Sequence, residues 1–386
     1  MRKSGIRASR LALLAFSGAF IITYTYGKRM TLLYGGLEIM IALACYWMFF
    51  TKFSRLDRVA RILAIIVIQF AWVSGLFSGD LKSTLLITVP IIMPLCISTL
   101  RIVYKSSADF ILVTVTAVVL TFLATTQNIL AGFNSNSIGF LGFMGVSLGF
   151  LWVRSARFKA IPMGVVLIGI LFAVLSGSRN VSIVGLACVG VLLLPDAILC
   201  NRRVYFLITI VIFFYTIFAA NIMAWGFSVP AINDFLLDFT GRYSEKAWSL
   251  AMRVNFLRSV QSLIAQRNIL QQLFGAGVCT VHGHNVFYQC VLEFGYLGTA
   301  LLYMMFYRIF KQAYILIQKR NDQIALGCAV ALWGNFLLQG ADVYLIGPES
   351  YAIVPQVLMG IIMQRYSVYR YECTYLEQAR LHTEEM

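Results

Sequence analysis

Charged residues are scarce in this sequence. Asp, Glu, Lys and Arg together make up only 12% of its 386 residues, whereas hydrophobic residues make up 60%. A water-soluble domain usually carries about 25% charged residues, and the mean hydropathy here is +0.81. The composition therefore excludes an ordinary soluble protein and predicts a polytopic membrane protein, in which lipid solvates most of the chain.

Acidic residues are the scarcer of the two charged classes. The chain has 16 Asp and Glu against 31 Lys and Arg, which gives a formal net charge of +15. The basic residues occur in short clusters between apolar runs, and no zinc-finger spacing or other nucleic-acid motif accompanies them. We therefore expect the membrane as the partner of these charges and exclude nucleic acid.

The sequence also lacks the common motifs of metal and nucleotide chemistry. Its eight cysteines are scattered without a Cys-x-x-Cys pair, as is usual for cysteines that act as small apolar residues. It has no metal-ligand spacing, no P-loop and no Gly-x-Ser-x-Gly sequence. We therefore expect no metal and no other cofactor.

Long apolar runs occupy most of the chain. A hydrocarbon core requires about 20 apolar residues per helix, and fewer where flanking groups reach the interface. Such runs predict an all-α polytopic protein with about 12 transmembrane helices in a single membrane domain, 1–386. The first run is expected to be a retained helix and not a removed signal. The predicted spans are 11–27, 31–50, 59–77, 84–100, 108–131, 137–153, 161–176, 181–199, 204–225, 285–307, 324–340 and 350–364.

The charges of the connecting segments test this count. If the first residues are cytoplasmic and the sides alternate, most of the 31 basic residues lie on the cytoplasmic side. This excess of basic residues on one side agrees with the positive-inside rule. An odd number of spans would remove the excess. We therefore expect both termini to be cytoplasmic, with a cytoplasmic tail at 365–386 and one large loop, 226–283, on the outer face.

The large outer loop contains a predicted helix. From Tyr243 to Leu273 apolar residues recur at spacings of three and four positions, which is typical of an amphipathic helix. Such a helix is expected to lie on the membrane surface or to cap the bundle. The apolar positions are Ala247, Leu250, Val254, Leu257 and Ile264.

Several arginines of this loop are candidates for binding an anion. Arg253 lies at the edge of the apolar stripe, where its side chain can turn toward the bundle, and Arg242 precedes the predicted helix. For Arg258 and Arg267 we favour a solvated helix face. A guanidinium group is well suited to bidentate capture of phosphate.

Another arginine interrupts an apolar region. Ser176-Gly177-Ser178-Arg179 separates two predicted spans. An arginine facing lipid here would cost several kcal/mol, so Arg179 is expected at the outer interface or in a cavity. The alternative is a tight turn whose arginine extends to the lipid headgroups.

The stretch from His282 to Gly298 holds two of the three histidines in the chain. His284 and Gly295 are eleven positions apart, so on one continuous helix they are nearly eclipsed, with Gly298 close to the same line. This face would carry an ionisable group at the start of the helix and small residues further along it, where another helix can approach. Histidine is readily poised as a general base near neutral pH, which makes His284 the leading catalytic candidate.

Asn285, Glu293 and His282 also lie in this stretch. Asn285 either orients a substrate hydroxyl or caps the helix. Glu293 points roughly opposite His284 on a continuous helix, which favours a role in packing or in a polar network. His282 lacks the helical register and is a weaker candidate than His284.

The order of these motifs resembles the O-antigen ligase/polymerase superfamily. The matching features are Ser-Gly-Ser-Arg at a helix end, a long outer loop with an arginine-aromatic amphipathic helix, Leu-Phe-Gly-x-Gly at 273–277, and His-Asn-x9-Gly-x-x-Gly at 284–298. The resemblance covers about residues 165–300. It implies a GT-C-like bundle of about a dozen helices with its active site on the outer face.

The resemblance also implies a reaction and residue roles. A glycan would be transferred, without a metal, from undecaprenyl pyrophosphate to an acceptor glycan, with His284 as the base on the acceptor hydroxyl. Arg179 and Arg253 would bind the pyrophosphate, and Arg242 is the alternative to Arg253 because segment 266–272 is longer than the family's usual link. Asn285, Gly295 and Gly298 would support the site.

Three functions remain open from the sequence. The leading one is polymerisation of lipid-linked repeats into O-antigen, capsular or exopolysaccharide in the bacterial inner membrane, with the active site on the periplasmic face. A chain-length regulator and a flippase would then be partners. The second is a ligase that attaches polysaccharide to lipid A-core. The third is a transporter or flippase for polysaccharide lipids, although such carriers more often have related halves and binding groups near the midplane.

Overall fold

The computed structural model of the protein describes residues 5–27, 30–53, 57–104, 107–126, 135–176, 178–230, 234, 245–276, 285–340 and 353–384. These residues are almost entirely helical. Two short strands, β1 (Ile6–Arg7) and β2 (Ile102–Val103), pair in parallel. A 3-10 helix, Ser107–Phe110, is also present.

A helix lies at each of the twelve predicted apolar runs. Six helices in the described part of the chain are long and apolar enough to cross a membrane, and five shorter apolar helices accompany them. The fold class is therefore confirmed as an all-α membrane protein. The helices are α1 Ala8–Gly27, α2 Thr31–Thr51, α3 Arg58–Ser78, α4 Leu81–Ser98, α5 Ile111–Thr126, α6 Ser135–Ser147, α7 Gly149–Ser155, α8 Ala160–Leu175, α9 Arg179–Leu193, α10 Asp196–Leu199, α11 Arg202–Ser228, α12 Glu245–Gln266, α13 Ile269–Phe274, α14 Val286–Arg320, α15 Gln323–Gln339 and α16 Ile353–Glu384.

The outward surfaces of these helices are apolar, as a lipid environment requires. Leu32 is 93% exposed, Trp47 72% and Leu76 71%. Exposed apolar side chains on this scale would be unfavourable in water and are solvated by acyl chains in a bilayer. The interior is a single large cluster of buried apolar residues shared by most of the helices.

Two predicted helices are interrupted in the structure. The run 137–153 forms α6 and α7, because the backbone tightens at Leu148, whose N–H donates to the Gly145 carbonyl three residues back. The helix expected from Tyr243 to Leu273 forms α12 and α13. It breaks before Asn268, whose side chain accepts a hydrogen bond from the Gln271 N–H at 2.9 Å and caps α13.

Many basic connecting segments meet at one end of the bundle, which we call the basic end. Hydrogen bonds, ion pairs and cation–π contacts, among them Arg320 over the Tyr369 ring, link these segments across the bundle. The segments are those that the charge pattern placed together on one side. The linking contacts are the β1–β2 pairing, Arg365 with Asp322 and with the Tyr104 ring, Arg308 with Asp57, Arg154 and Gln323 with Asp196, and Arg320 with Glu372.

Asp57 has two roles at the basic end. Its Oδ1 atom accepts from the Ala60 N–H at 3.0 Å and so caps α3, and both of its carboxylate oxygens accept from the Arg308 guanidinium at 2.9–3.1 Å. The first interaction fixes the start of a helix, and the second ties α3 to α14.

We predict that Asp57→Asn is less destabilising than Asp57→Ala. Asparagine keeps an acceptor for the cap, so the two variants should differ by about 1 kcal/mol in the free energy of unfolding. The ion pair is partly exposed, so its loss in Asp57→Asn should cost about 1 kcal/mol. Thermal unfolding of the detergent-purified protein measures both variants, and equal losses would show that the cap contributes nothing.

Candidate functional site

The candidate site is organised by a break in α14. Gly295 has φ 70° and ψ 178° inside this helix. The rings of Phe287 and Tyr303 have centroids 6.2 Å apart, although sixteen residues of an uninterrupted helix would span about 24 Å. The chain therefore turns back sharply at Gly295, and Val286–Phe294 is a short helix folded against the rest of α14. We call Val286–Phe294 the re-entrant segment.

This break corrects the predicted face of small residues. The sequence analysis placed His284, Gly295 and Gly298 along one side of a continuous helix, which is wrong because the helix ends at Gly295. Gly298 instead makes room for the turn, since a Cβ atom there would lie 2.7 Å from the Cβ of Phe294. Both glycines are packing residues at the bend.

Two glycines make the bend sterically feasible. A Cβ atom on Gly295 would lie 2.3 Å from the carbonyl oxygen of Leu273, and one on Gly275 (φ 87°) would lie 2.3 Å from the carbonyl oxygen of Glu293. Real side chains essentially never approach so closely. The backbone of Leu273 and Gly275 in the Leu-Phe-Gly-x-Gly motif therefore lies directly against the backbone of the bend.

At the bend, backbone carbonyls lose their hydrogen bonds within the helix. Donors from other described residues bond to them instead. The Leu292 carbonyl accepts from the Arg267 guanidinium at 2.7 Å and from the Ala276 N–H at 3.3 Å, and the Glu293 carbonyl accepts from the Ser74 hydroxyl at 3.0 Å. A cation at a helix C-terminus also opposes the negative end of the helix dipole. The expectation that Arg267 lies on a solvated face is therefore wrong.

Asn285 occupies the other end of the re-entrant segment and is fully buried. Its Oδ1 accepts from the Tyr288 N–H at 3.1 Å, and its Nδ2 donates to the carbonyls of Thr216 and Gly340, both at 2.9 Å. Of the two predicted roles, the structure supports the helix cap. The side chain also ties α14 to α11 and to the end of α15.

Helix α12 packs over the re-entrant segment. Its buried stripe forms a second apolar cluster with that segment. Arg253 belongs to α12 four positions before the first buried residue of the stripe, so its backbone lies on the same helix face. Arg258 is exposed. The residues of the cluster are Leu257, Val260, Ile264, Tyr288, Val291 and Leu292.

A polar triad fixes the position of α12. Gln261 Nε2 donates to Asn221 Oδ1 at 2.8 Å and to the Tyr288 hydroxyl at 2.9 Å, and the Tyr288 hydroxyl lies 3.1 Å from Asn221 Oδ1, to which it donates. The triad joins α11, α12 and α14 in one place. The sequence analysis missed it, although a glutamine within an apolar stripe was a usable signal.

Arg179 is the first residue of α9, so the Ser-Gly-Ser-Arg motif is a turn between α8 and α9. A Cβ atom on Gly139 would lie 2.8 Å from the Cβ of Ser178, which shows how closely α6 packs on this turn. Helices α9 and α15 run antiparallel. Cys188 faces Gly334 midway along the pair, and Gln323 bonds to Asp196 just beyond the end of α9.

The antiparallel pairing places the start of α9 with the end of α15. Gly340, the residue that follows α15, accepts from Asn285. The start of α9 at Arg179 and the start of the re-entrant segment next to Asn285 therefore lie in the same half of the bundle, the half away from the basic end, with Asn285 level with Thr216 midway along α11. The side chains of Arg179 and Arg253, and the whole of His284, His282 and Arg242, lie outside the described residues.

Glu293 is a fully buried acid in the re-entrant segment. Its Oε1 accepts from Gln289 Nε2 at 2.7 Å, and its Oε2 has no hydrogen-bond partner within the described part of the chain. This geometry fits the predicted polar-network role. An ionisable group buried at this depth is costly, which makes it a candidate for function as well.

The described residues contain no group of three or more His, Cys, Asp or Glu side chains that could hold a metal ion. No protein-family model matches the chain, and no curated protein sequence matches it. The functional assignment therefore rests on residues and geometry.

We predict that Gly295→Ala prevents the bend. Alanine would place a Cβ atom against the Leu273 carbonyl, in a backbone conformation that is essentially restricted to glycine, at a cost of at least about 3 kcal/mol. The yield of monodisperse protein and its thermal midpoint should both fall. Gly190→Ala in α9 is the matched control, because a Cβ atom there meets nothing within 4 Å. A normal Gly295→Ala protein would contradict the bend.

Proposed function

We propose that the protein is a membrane glycosyltransferase that polymerises undecaprenyl-pyrophosphate-linked oligosaccharide repeats into O-antigen, capsular or exopolysaccharide. The observation that carries the proposal is that two helix starts lie in the same half of the bundle, away from the basic end. The re-entrant segment begins at Asn285, directly after His284, and α9 begins at Arg179. Helix α12, with Arg253, packs over the first of these.

The proposed chemistry divides among three side chains. His284 removes the proton of the acceptor hydroxyl, and the resulting oxygen attacks the anomeric carbon of the donor sugar. The bond between that carbon and the pyrophosphate oxygen breaks, and Arg179 and Arg253 stabilise the departing pyrophosphate. Arg242 is the alternative to Arg253.

The helix starts favour an anionic substrate. A helix N-terminus carries free N–H groups and the positive end of the helix dipole, which suit a phosphate group. The side chain of Asn285 is used by Tyr288, Thr216 and Gly340. In the proposal Asn285 therefore positions His284 and does not touch the substrate, and Gly295 and Gly298 hold the bend that orients the whole segment.

The proposed topology has about 12 spans in a GT-C-like bundle. The basic end would face the cytoplasm, in accord with the positive-inside rule. The helix starts at the opposite end would then face the periplasm, together with the large loop 226–283. Both termini, including the tail 365–386, would be cytoplasmic in the bacterial inner membrane. A chain-length regulator and a flippase are the expected partners.

A transporter of polysaccharide lipids is the second candidate, and one observation favours it. Discontinuous helices with buried ionisable groups are typical of carriers, and α14 is broken next to the buried Glu293. The glycosyltransferase is preferred because the two helix starts lie in the same half of the bundle and α12 packs over the re-entrant segment that follows His284.

We predict that His284→Ala abolishes product while the protein remains inserted and abundant. The test is a gel of surface polysaccharide from a strain deleted for the gene and complemented with wild type or His284→Ala. Acceptor capped with a single repeat in the deletion and in the mutant identifies a polymerase that uses His284.

Other gel patterns would overturn parts of the proposal. Bare acceptor with accumulated lipid-linked polymer identifies a ligase that attaches finished chains to lipid A-core. Normal chains from His284→Ala remove the catalytic role of that residue and favour the transporter. Immunoblots of the membrane fraction confirm equal amounts of each variant.

We predict that Arg253→Ala and Arg179→Lys each reduce polymer formation about 100-fold or more, because loss of one preorganised donor to a developing anion commonly has this effect. Lysine cannot reproduce the planar fork of arginine. Arg258→Ala, five residues along α12 and exposed, is the matched control and should keep normal activity. Equal activity of Arg253→Ala and Arg258→Ala would exclude Arg253 and leave Arg242 to be tested.

A further inference from the structure

A cavity lies at the basic end, far from the candidate active site. It has a volume of about 470 Å³ and opens between the start of α8 and the end of α9. Its walls are mainly apolar, with one acidic and two basic side chains. The lining residues include Arg154, Lys159, Met163, Leu193 and Asp196.

The buried member of this cavity is Arg154, whose side chain is only 1% exposed. Its guanidinium donates to Asp196 Oδ1 at 2.7 Å and to the Val191 carbonyl at 3.0 Å. Its Nε–H has no hydrogen-bond partner in the described part of the chain. Arg154 is therefore a buried cation in the cavity wall, held by Asp196 and the Val191 carbonyl.

The acidic member does not cancel the positive charge of the cavity. Asp196 Oδ1 accepts from Arg154, and Asp196 Oδ2 accepts from Gln323 Nε2 at 3.1 Å. The Lys159 ammonium is 3.9 Å from the same carboxylate, beyond hydrogen-bond distance, and its side chain is 48% exposed. The lining therefore carries a net charge of +1, with a lysine at the mouth.

The start of α8 adds backbone donors to the cavity. Lys159 is the N-cap of α8, and no side chain caps this end. Ala160 lines the cavity. The N–H groups of Ala160 and Ile161 have no acceptor within the helix, and the third residue, Pro162, has no N–H. Free N–H groups, the positive end of the helix dipole and a lysine together suit an anion.

The protein surface beside the cavity is apolar and exposed, which suits a lipid and not a soluble ligand. Ile161 on α8 is 68% exposed, and Leu193 on α9 is 67% exposed. Gly164 and Gly190 leave open space on the same two helices, since a Cβ atom on either would meet nothing within 4 Å. Phe158, 73% exposed, precedes α8, where an aromatic ring suits the membrane interface.

We propose that this cavity binds an anionic phospholipid, with the phosphodiester headgroup at Lys159 and the start of α8 and the acyl chains along α8 and α9. Basic pockets between membrane helices are suited to such headgroups. The headgroup would also tie the α7–α8 connection to the end of α9. This site is independent of the proposed glycosyl transfer, because it lies at the opposite end of the bundle.

The test is native mass spectrometry of the detergent-purified full-length protein, titrated with phosphatidylglycerol or with phosphatidylcholine. Phosphatidylglycerol should bind preferentially. Lys159→Gln should weaken its binding about fivefold, which corresponds to about 1 kcal/mol for one lysine near a headgroup. Met163→Trp should also prevent binding, because it fills the cavity without changing its charge.

Lys319→Gln is the matched control, because Lys319 is exposed near the basic end but does not line the cavity. Equal binding by wild type and Lys159→Gln, or an equal loss in Lys319→Gln, would overturn the site. Competition by the water-soluble headgroup glycerophosphoglycerol at the same concentration would overturn the lipid and identify a soluble anion. Because the Lys159 side chain is half-exposed, Lys159→Gln should not disturb folding. The comparison of wild type with Lys159→Gln therefore decides the proposal even if Met163→Trp fails to fold.

Discussion

The contact between two backbone segments at Gly275 and Gly295 is the constraint on which the candidate site depends. A side chain at either position would overlap the opposite main chain. In a membrane, such a bend is stable only if the carbonyls that it frees find donors within the protein. Arg267, Ala276 and Ser74 supply them. The re-entrant segment is stable because the two backbones can approach closely at the glycines and because the carbonyls at the bend have hydrogen-bond donors.

The two ends of the bundle are held together by different kinds of contact. At the basic end, ion pairs such as Arg308–Asp57 and Arg154–Asp196 join successive connections. At the opposite end the described contacts are mainly between helix ends and neutral polar groups, with Asn285 holding the carbonyls of two other helices. Charges that stabilise the fold are thus separated from the helix starts that we propose to receive an anionic substrate.

The sequence predicted the helices better than it predicted their breaks. Hydropathy located every apolar run because burial in lipid depends on composition and length. The apolar stripe of α12 was also predicted correctly at Leu257 and Ile264, which are buried. Arg267 was assigned to a solvated face because its partner, the Leu292 carbonyl, is free only when α14 bends. Gln261 was overlooked because its partners lie on two other helices.

The sequence by itself determined an all-α membrane protein, the positions of its apolar helices and the residues with chemistry to offer, because these depend on local composition and pattern. Only the tertiary structure decided that α14 turns back at Gly295, that Asn285 caps the returning segment, and that the starts of α9 and of this segment lie in the same half of the bundle. Those outcomes depend on contacts between residues far apart in the chain, such as Gly275 with Glu293 and Cys188 with Gly334. The local periodicity of the sequence does not indicate such contacts.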